Sequence, residues 1–176
     1  MKNILYPLLC ITAVVLVSFR SDTKNTDEPV ISSRVVTQVA VVVRDIDKAR
    51  SAWAKILGLE APEVSIAEGH NSRPTMYRGK PSDAKAKLAF FNLENIQIEL
   101  IQPLGGNSTW QEFLDKNGEG LHHIAFGVKG ISGVEKKFES LGYPTVQLGG
   151  WDGGAYSYID ASKDLGCVLE LLENYK

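Results

Sequence analysis

Two stretches of this chain follow one plan: TQVAVVVRDIDKARSAWAKILGLE from Thr37 and HHIAFGVKGISGVEKKFESLGYP from His122 superimpose at an offset of 85 residues. The offset pairs Ala40 with Ala125, Val43 with Val128, Ile46 with Ile131 and Trp53 with Phe138. Each copy opens as a strand and continues as a helix. In the first, the strand runs from Val35 to Val43, Asp45 suits an N-cap, and Gly58 ends a helix that reaches Leu57. In the second, Ser132 and Glu135 have the spacing of a capping box and Gly142 is the stop.

Both copies close on a strand of the same form, IQIELIQ at Ile96 to Gln102 and CVLELLE at Cys167 to Glu173. Ile98-Glu99-Leu100 thereby matches Leu169-Glu170-Leu171. Further strands are expected at Thr75 to Arg78 and Lys87 to Leu93 in the first half, and at Thr145 to Leu148 and Tyr156 to Ile159 in the second. Ser108 to Lys116 reads as a linking helix, with Ser108 and Gln111 as a capping box and Asn117-Gly118 as the stop. The expected class is α+β: two paired βαβββ modules, 34–103 and 121–174, joined by a helix at 108–117, with their sheets forming a curved cleft.

A module of this kind covers one sheet face with its own helix, so the other face needs a purpose. Side chains alternate along a strand, which puts Val39, Val41 and Val43 opposite Gln38, Ala40 and Val42, and Ile124, Phe126 and Val128 opposite His123, Ala125 and Gly127. The closing strands oppose Glu99 and Glu170 to their aliphatic neighbours in the same way. If the second faces look inward, Gln38, Glu99, His123 and Glu170 converge. An amide oxygen, an imidazole and two carboxylates suit one divalent ion, with Zn, Ni, Co and Mn all admissible. Taken singly, each of these residues reads as structural; four at symmetry-matched places do not. Neither closing strand carries a lysine or arginine to neutralise its glutamate, and a dication would do so. By this register His122 belongs with the apolar set, as a buried, hydrogen-bonded neighbour of His123.

Composition narrows the partners. Lys and Arg number 19 against 21 Asp and Glu, and no basic stripe is interleaved with aromatics, which excludes nucleic acid. A small-molecule substrate is expected instead. Residues 1–20, with Lys2 ahead of an apolar run from Ile4 to Phe19, have the layout of a signal peptide or membrane anchor, and 21–33 reads as a polar linker. The expected location is exported, periplasmic or membrane-anchored. GGWDGGAYSY lacks the lysine and helix context of a phosphate loop and is read as a flexible loop beside the cleft. Asp160 is read as a turn residue.

The motifs TQVAVVV, IELIQP, GEGLHHIAFGV and VLELLE, in that order, resemble the vicinal oxygen chelate superfamily, which includes glyoxalase I, methylmalonyl-CoA epimerase and extradiol dioxygenases. The similarity covers Val35 to Glu173. NGEGLHHIAFGV and IELIQPLGGNSTWQEFL are most similar to methylmalonyl-CoA epimerases, whereas the ligand order Gln, Glu, His, Glu is similar to one form of glyoxalase I. The resemblance implies metal ligation by Gln38, Glu99, His123 and Glu170, and it is compatible with a homodimer. It also implies, for an epimerase, an additional acidic base on a middle strand of the first module. The matching DAKAKLAFFNL offers only Asp83 ahead of the strand, with Lys87 as the nearest polar residue on it.

The expected function is therefore lyase or isomerase chemistry of glyoxalase type: proton transfer next to a carbonyl of an oxygen-chelating substrate, with Glu170 or Glu99 as the catalytic base. The alternative is a non-catalytic binding or resistance protein using the same cleft. A dioxygenase ranks third, because Gln38 stands where a second histidine would be expected.

Overall fold

The computed structural model describes residues 28–175. The segment read as a signal peptide or anchor, and the linker up to residue 27, lie outside the described residues. The elements are β1 (Val36–Val42), α1 (Ile46–Leu57), β2 (Ser65–Ala67), β3 (Met76–Tyr77), β4 (Lys80–Pro81), β5 (Ala86–Asn92), β6 (Gln97–Pro103), α2 (Thr109–Asn117), β7 (Gly120–Gly127), α3 (Ile131–Ser140), β8 (Thr145–Trp151), β9 (Gly154–Asp160), α4 (Ser162–Leu165) and β10 (Val168–Asn174). Among these helices none is long and apolar enough to cross a membrane.

All ten strands join in one curled mixed sheet, in the order β2-β5-β6-β1-β7-β10-β9-β8-β3-β4. The first strands of the two modules, β1 and β7, pair antiparallel at its centre, and each is flanked by its module's closing strand running parallel to it, β6 beside β1 and β10 beside β7. Helices α1 and α3 cover the convex side. Ile46, Ala54, Phe91 and Leu100 form the core under α1, and Ile131, Phe138, Ile159 and Leu171 that under α3. On the concave side α2 seats Trp110 and Leu114 against Ala40, Val42, Ile101 and Tyr158, filling one end of the hollow. The alternation of strand residues dictates this division, since burial on one face by a helix leaves the other to curl inward.

Helix α1 is capped as expected: Asp45 accepts from the Lys48 amide at 3.0 Å, and Gly58 adopts φ 68° at the C-terminus. Ser108 likewise accepts from the Gln111 amide at 3.0 Å. The capping box expected at Ser132 and Glu135 does not form. Gly130 occupies the N-cap without a side-chain bond, and Glu135 is buried beneath the helix, where it pairs with Arg73. The stretch read as a flexible loop is instead two strands: β8 continues through Trp151 and β9 begins at Gly154, leaving Asp152-Gly153 as the turn. Asp160 ends β9 and accepts from the Ser162 amide at 3.2 Å. The folded part also begins earlier than Arg34, because Val30 and Ile31 pack on the core under α3.

The larger difference lies between α1 and β5. The second strand of the first module is the short β2, paired with β5, and not Thr75 to Arg78. That stretch crosses the cleft and adds β3 to the outer edge of β8, pairing Met76 with Leu148 and Tyr77 with Gln147. Side chains fasten the strap. Arg73 reaches Glu135 and Ser157 in the second module, while Tyr77 and Arg78 bind Glu112 on α2 at 2.6 and 2.9 Å. Gly150 permits the close approach, since a Cβ there would meet Arg73 Cβ at 2.9 Å.

Candidate metal centre

The four residues expected to converge lie in two adjacent rows of the sheet. In one row Glu99 on β6 is opposite Ala40 on β1, which is opposite His123 on β7. In the other, Gln38 on β1 is opposite Ala125 on β7, which is opposite Glu170 on β10. The rows are images of each other under the module repeat. Ala40 and Ala125, both fully buried, are the small residues at the middle of each row, and their methyl groups leave room between the longer side chains.

His123 Nε2 lies 3.5 Å from Glu99 Oε2 and 3.1 Å from Glu170 Oε2. One ligand atom from each of these three residues falls within 4.8 Å of the others. All three side chains are buried. Despite the short approach, His123 Nε2 and Glu170 Oε2 have no hydrogen-bond partner among the described residues, because the groups do not face each other with donor–acceptor geometry. Buried polar atoms without partners are costly, and atoms aimed at a shared point fit a cation between them. Gln38 lines the same cavity, and its Nε2 donates to Gln97 Oε1, whose own Nε2 donates to Asn92 Oδ1 at 2.6 Å. That chain engages the Gln38 nitrogen and not its amide oxygen.

Burial raises the Glu99 carboxyl pKa, opposed by the nearby His123 imidazole. At His123 burial works against the charged ring, but Glu170 and Glu99 outweigh it and push the imidazole up to about 9. Without a cation the cluster therefore holds a proton.

His122 departs from its expected face. A register shift opposite Ala40 and Val41 inserts one extra residue in β7, so that His122 and His123 both turn to the concave side and Leu121 is left 68% exposed. The His122 ring meets Phe113 and Tyr158 edge-on, at 5.3 and 5.5 Å. Its Nδ1 lies 2.9 Å from His123 Nδ1. Burial, reinforced by the adjacent His123, pushes the His122 pKa down to about 3, so His122 is neutral and its Nδ1 accepts the His123 Nδ1 proton. In the neutral ring the same contact would keep the proton on His123 Nδ1 and leave Nε2, on the side of the two carboxylates, to ligate a cation.

Reading the sequence missed the aromatic wall. Tyr158 lies 4.9 Å from the His123 ring and its hydroxyl accepts from Trp110 Nε1 at 3.0 Å. Tyr156 lies 5.4 Å from Tyr158, and burial raises its phenol pKa, so it stays protonated. Strand alternation could have placed Tyr156 and Tyr158 on one face; Trp110 carried no such signal. Neither candidate for an additional base reaches the cavity. Lys87 turns to the helix side, 4.0 Å from Asp47, and Asp83 is exposed beside Gly106. The cavity itself is about 790 Å³, with Glu99 and Glu170 in its lining.

Residues 37–159 match the sequence profile of the Glyoxalase/Bleomycin resistance protein/Dioxygenase superfamily. An uncharacterised Bacillus subtilis protein, YqjC, is 30% identical over 141 residues, covering 77% of this chain and 89% of that one. The human mitochondrial methylmalonyl-CoA epimerase is 31% identical over 144 residues, covering 78% of this chain and 72% of the epimerase. Among solved structures, a variant of the Streptomyces coelicolor methylmalonyl-CoA epimerase in complex with 2-nitronate-propionyl-CoA superimposes with a TM-score of 0.57 at 18% identity, over 81% of this chain and 98% of that one.

Proposed function

Because the chain belongs to the Glyoxalase/Bleomycin resistance protein/Dioxygenase superfamily, we propose that it is a metal-dependent isomerase or lyase that moves a proton on a carbon next to a carbonyl. The observation that carries this reading is the buried cluster of Glu99, His123 and Glu170, whose ligand atoms lie within 4.8 Å of one another and in which His123 Nε2 and Glu170 Oε2 have no hydrogen-bond partner among the described residues. Those three and the Gln38 oxygen would hold the ion. A bound Zn, Ni, Co or Mn would supply Lewis acidity to the substrate's oxygens.

The chain's own residues do the rest. Glu99 and Glu170 belong to equivalent strands of the two modules and approach His123 from its own row and from the adjacent one, so a substrate carbon above the cluster would have a carboxylate from each module beside it. One carboxylate takes the proton and the other remains a ligand. His122 holds His123 in the ligating tautomer, and the apolar walls exclude water from the reacting carbon. Location outside the cytoplasm, proposed from residues 1–20, accompanies this reading.

A second reading, a binding protein that sequesters its ligand, is favoured by one observation: Asp83 and Lys87 both point away, so neither candidate for the additional base stands beside the cluster. One experiment separates the two readings. Metal-replete protein is incubated in deuterium oxide with 2-hydroxyacetophenone and, separately, with methylmalonyl-CoA, and deuterium at the α-carbon is followed by NMR. Exchange that requires metal and disappears in Glu170→Gln supports the enzyme. Metal-replete protein that exchanges neither compound is the binding protein's result. Exchange at methylmalonyl-CoA is expected to be weak or absent.

A further inference from the structure

We propose that the cleft is built for an uncharged carbonyl compound with an aromatic body, and that it turns away coenzyme A thioesters and other polyanions. The inference rests on the metal-centre reading for the polar end of the ligand and on separate observations for its body and charge.

The body is set by the walls. Trp110, Tyr156 and Tyr158 form one continuous aromatic surface, with ring centroids 5.4 to 6.3 Å apart. Two glycines seat aromatic rings here, Gly149 under Tyr156 and Gly154 under the neighbouring Trp151. A Cβ at Gly149 would come within 2.6 Å of the Tyr156 ring, and one at Gly154 within 2.1 Å of the Trp151 ring, so both aromatics lie flat on bare backbone beside the cavity. Leu88 and Phe90 line the facing wall from the first module. A flat ring between these walls stacks on one side and meets apolar atoms on the other.

Charge is set by the floor and rim. The ionisable side chains lining the cavity, other than His70 and the two tyrosines, are all acidic: Glu99 and Glu170 below, Glu68 and Asp152 at the mouth. Glu68 is paired with Lys85 at 2.7 Å. Asp152 has no cationic partner among the described residues, and no lysine or arginine lines the cavity among them. The dication would be largely balanced by Glu99 and Glu170, leaving little net attraction for an anion. A coenzyme A ester would carry its phosphates out past Asp152 with no lysine or arginine of the described lining to receive them, and like charges at such a mouth disfavour both approach and binding.

The test uses the full-length protein and three probes: benzohydroxamate as a neutral aromatic oxygen chelator, acetohydroxamate as the same chelator without a ring, and coenzyme A as the polyanion. Binding is read from tryptophan fluorescence, to which Trp110 and Trp151 report, and from the visible spectrum of the cobalt-loaded protein. Benzohydroxamate is expected to bind at least tenfold more tightly than acetohydroxamate, and millimolar coenzyme A is expected not to displace it. Asp152→Lys should admit coenzyme A while leaving benzohydroxamate affinity within twofold. Equal affinity for the two hydroxamates overturns the aromatic assignment, and displacement by micromolar coenzyme A overturns the charge assignment. Failure to take up cobalt overturns the metal-centre reading instead, and the fluorescence comparison still decides the ring preference.

Discussion

Gln102 and Glu173 occupy equivalent places on β6 and β10, and each accepts the first backbone N–H of its module's helix: Gln102 from Ile46 at 3.0 Å, Glu173 from Ile131 at 2.9 Å. Each lies three residues beyond a cluster glutamate, Glu99 or Glu170, and alternation turns it to the opposite side of the sheet. The closing strand thus serves the cavity with one residue and the helix with the other. Because the first N–H groups of a helix have no internal partner, this tie sets where each helix starts relative to its sheet.

Glu173→Ala is accordingly expected to destabilise the protein by about 1 kcal/mol, the usual cost of losing a helix N-terminal cap, with added loss of the favourable charge at that end. Ser132→Ala, at the position the sequence suggested for the cap, should stay within about 0.5 kcal/mol of the parent. Urea unfolding of the two variants checks this. The reverse order of stabilities would mean that α3 starts elsewhere.

His123→Ala should abolish metal uptake, because it removes the one nitrogen that faces both carboxylates. His122→Ala should weaken uptake by about 10- to 100-fold, the range found when the hydrogen-bond partner of a ligating histidine is lost, and should lower stability as well by opening space beside Phe113 and Tyr158. Metal titration of the purified variants measures both. Unchanged affinity in His122→Ala would refute its role in setting the His123 tautomer.

The metal-free protein should lose stability as pH rises. His123 is raised from 6.5 to about 9 by Glu170 and Glu99, so the folded state binds the proton more tightly than the unfolded state. Its contribution is complete below about pH 6.5 and is lost through about pH 9. The raised Glu99 carboxyl acts in the same direction. Metal affinity should move oppositely, since the ion needs a neutral imidazole and expels the proton. Thermal melting from pH 6 to 9.5, with chelator and with added zinc, should therefore give diverging curves. Parallel curves would contradict the cluster as the metal centre.

Arg73→Ala should cost about 3–5 kcal/mol, because it leaves the Glu135 charge buried beneath α3. Arg73→Met combined with Glu135→Met should recover most of the loss, since apolar side chains fill the space without an unpaired charge. The strap lies between the modules, so the single variant should also raise proteolysis between α1 and β5. A loss below about 1 kcal/mol would show that β3 pairing alone holds the strap.

The sequence by itself determined the module and its repetition. Alternation with period two, caps at Asp45 and Ser108, and stops at Gly58 and Gly118 are local effects, decided within a few residues by backbone geometry and short-range hydrogen bonds. Symmetry carried this further: because the modules repeat, facing in each strand put Gln38, Glu99, His123 and Glu170 on one side of the sheet, and the strand rows bring Glu99, His123 and Glu170 within 4.8 Å of one another, with Gln38, Glu99 and Glu170 lining the cavity. Tertiary structure alone decided what depends on partners distant in the chain. Ser132 and Glu135 have the spacing of a capping box, yet Glu173 supplies the cap and Arg73 claims Glu135, since a buried carboxylate gains more from a guanidinium than from a solvated helix end. Thr75 to Arg78 has strand character in isolation, but strand character does not name a neighbour, and the open edge of β8 was the one within reach. The bulge that brings His122 in beside His123 likewise leaves no mark on the sequence, because it arises from matching two strands, β1 and β7, whose register neither strand contains.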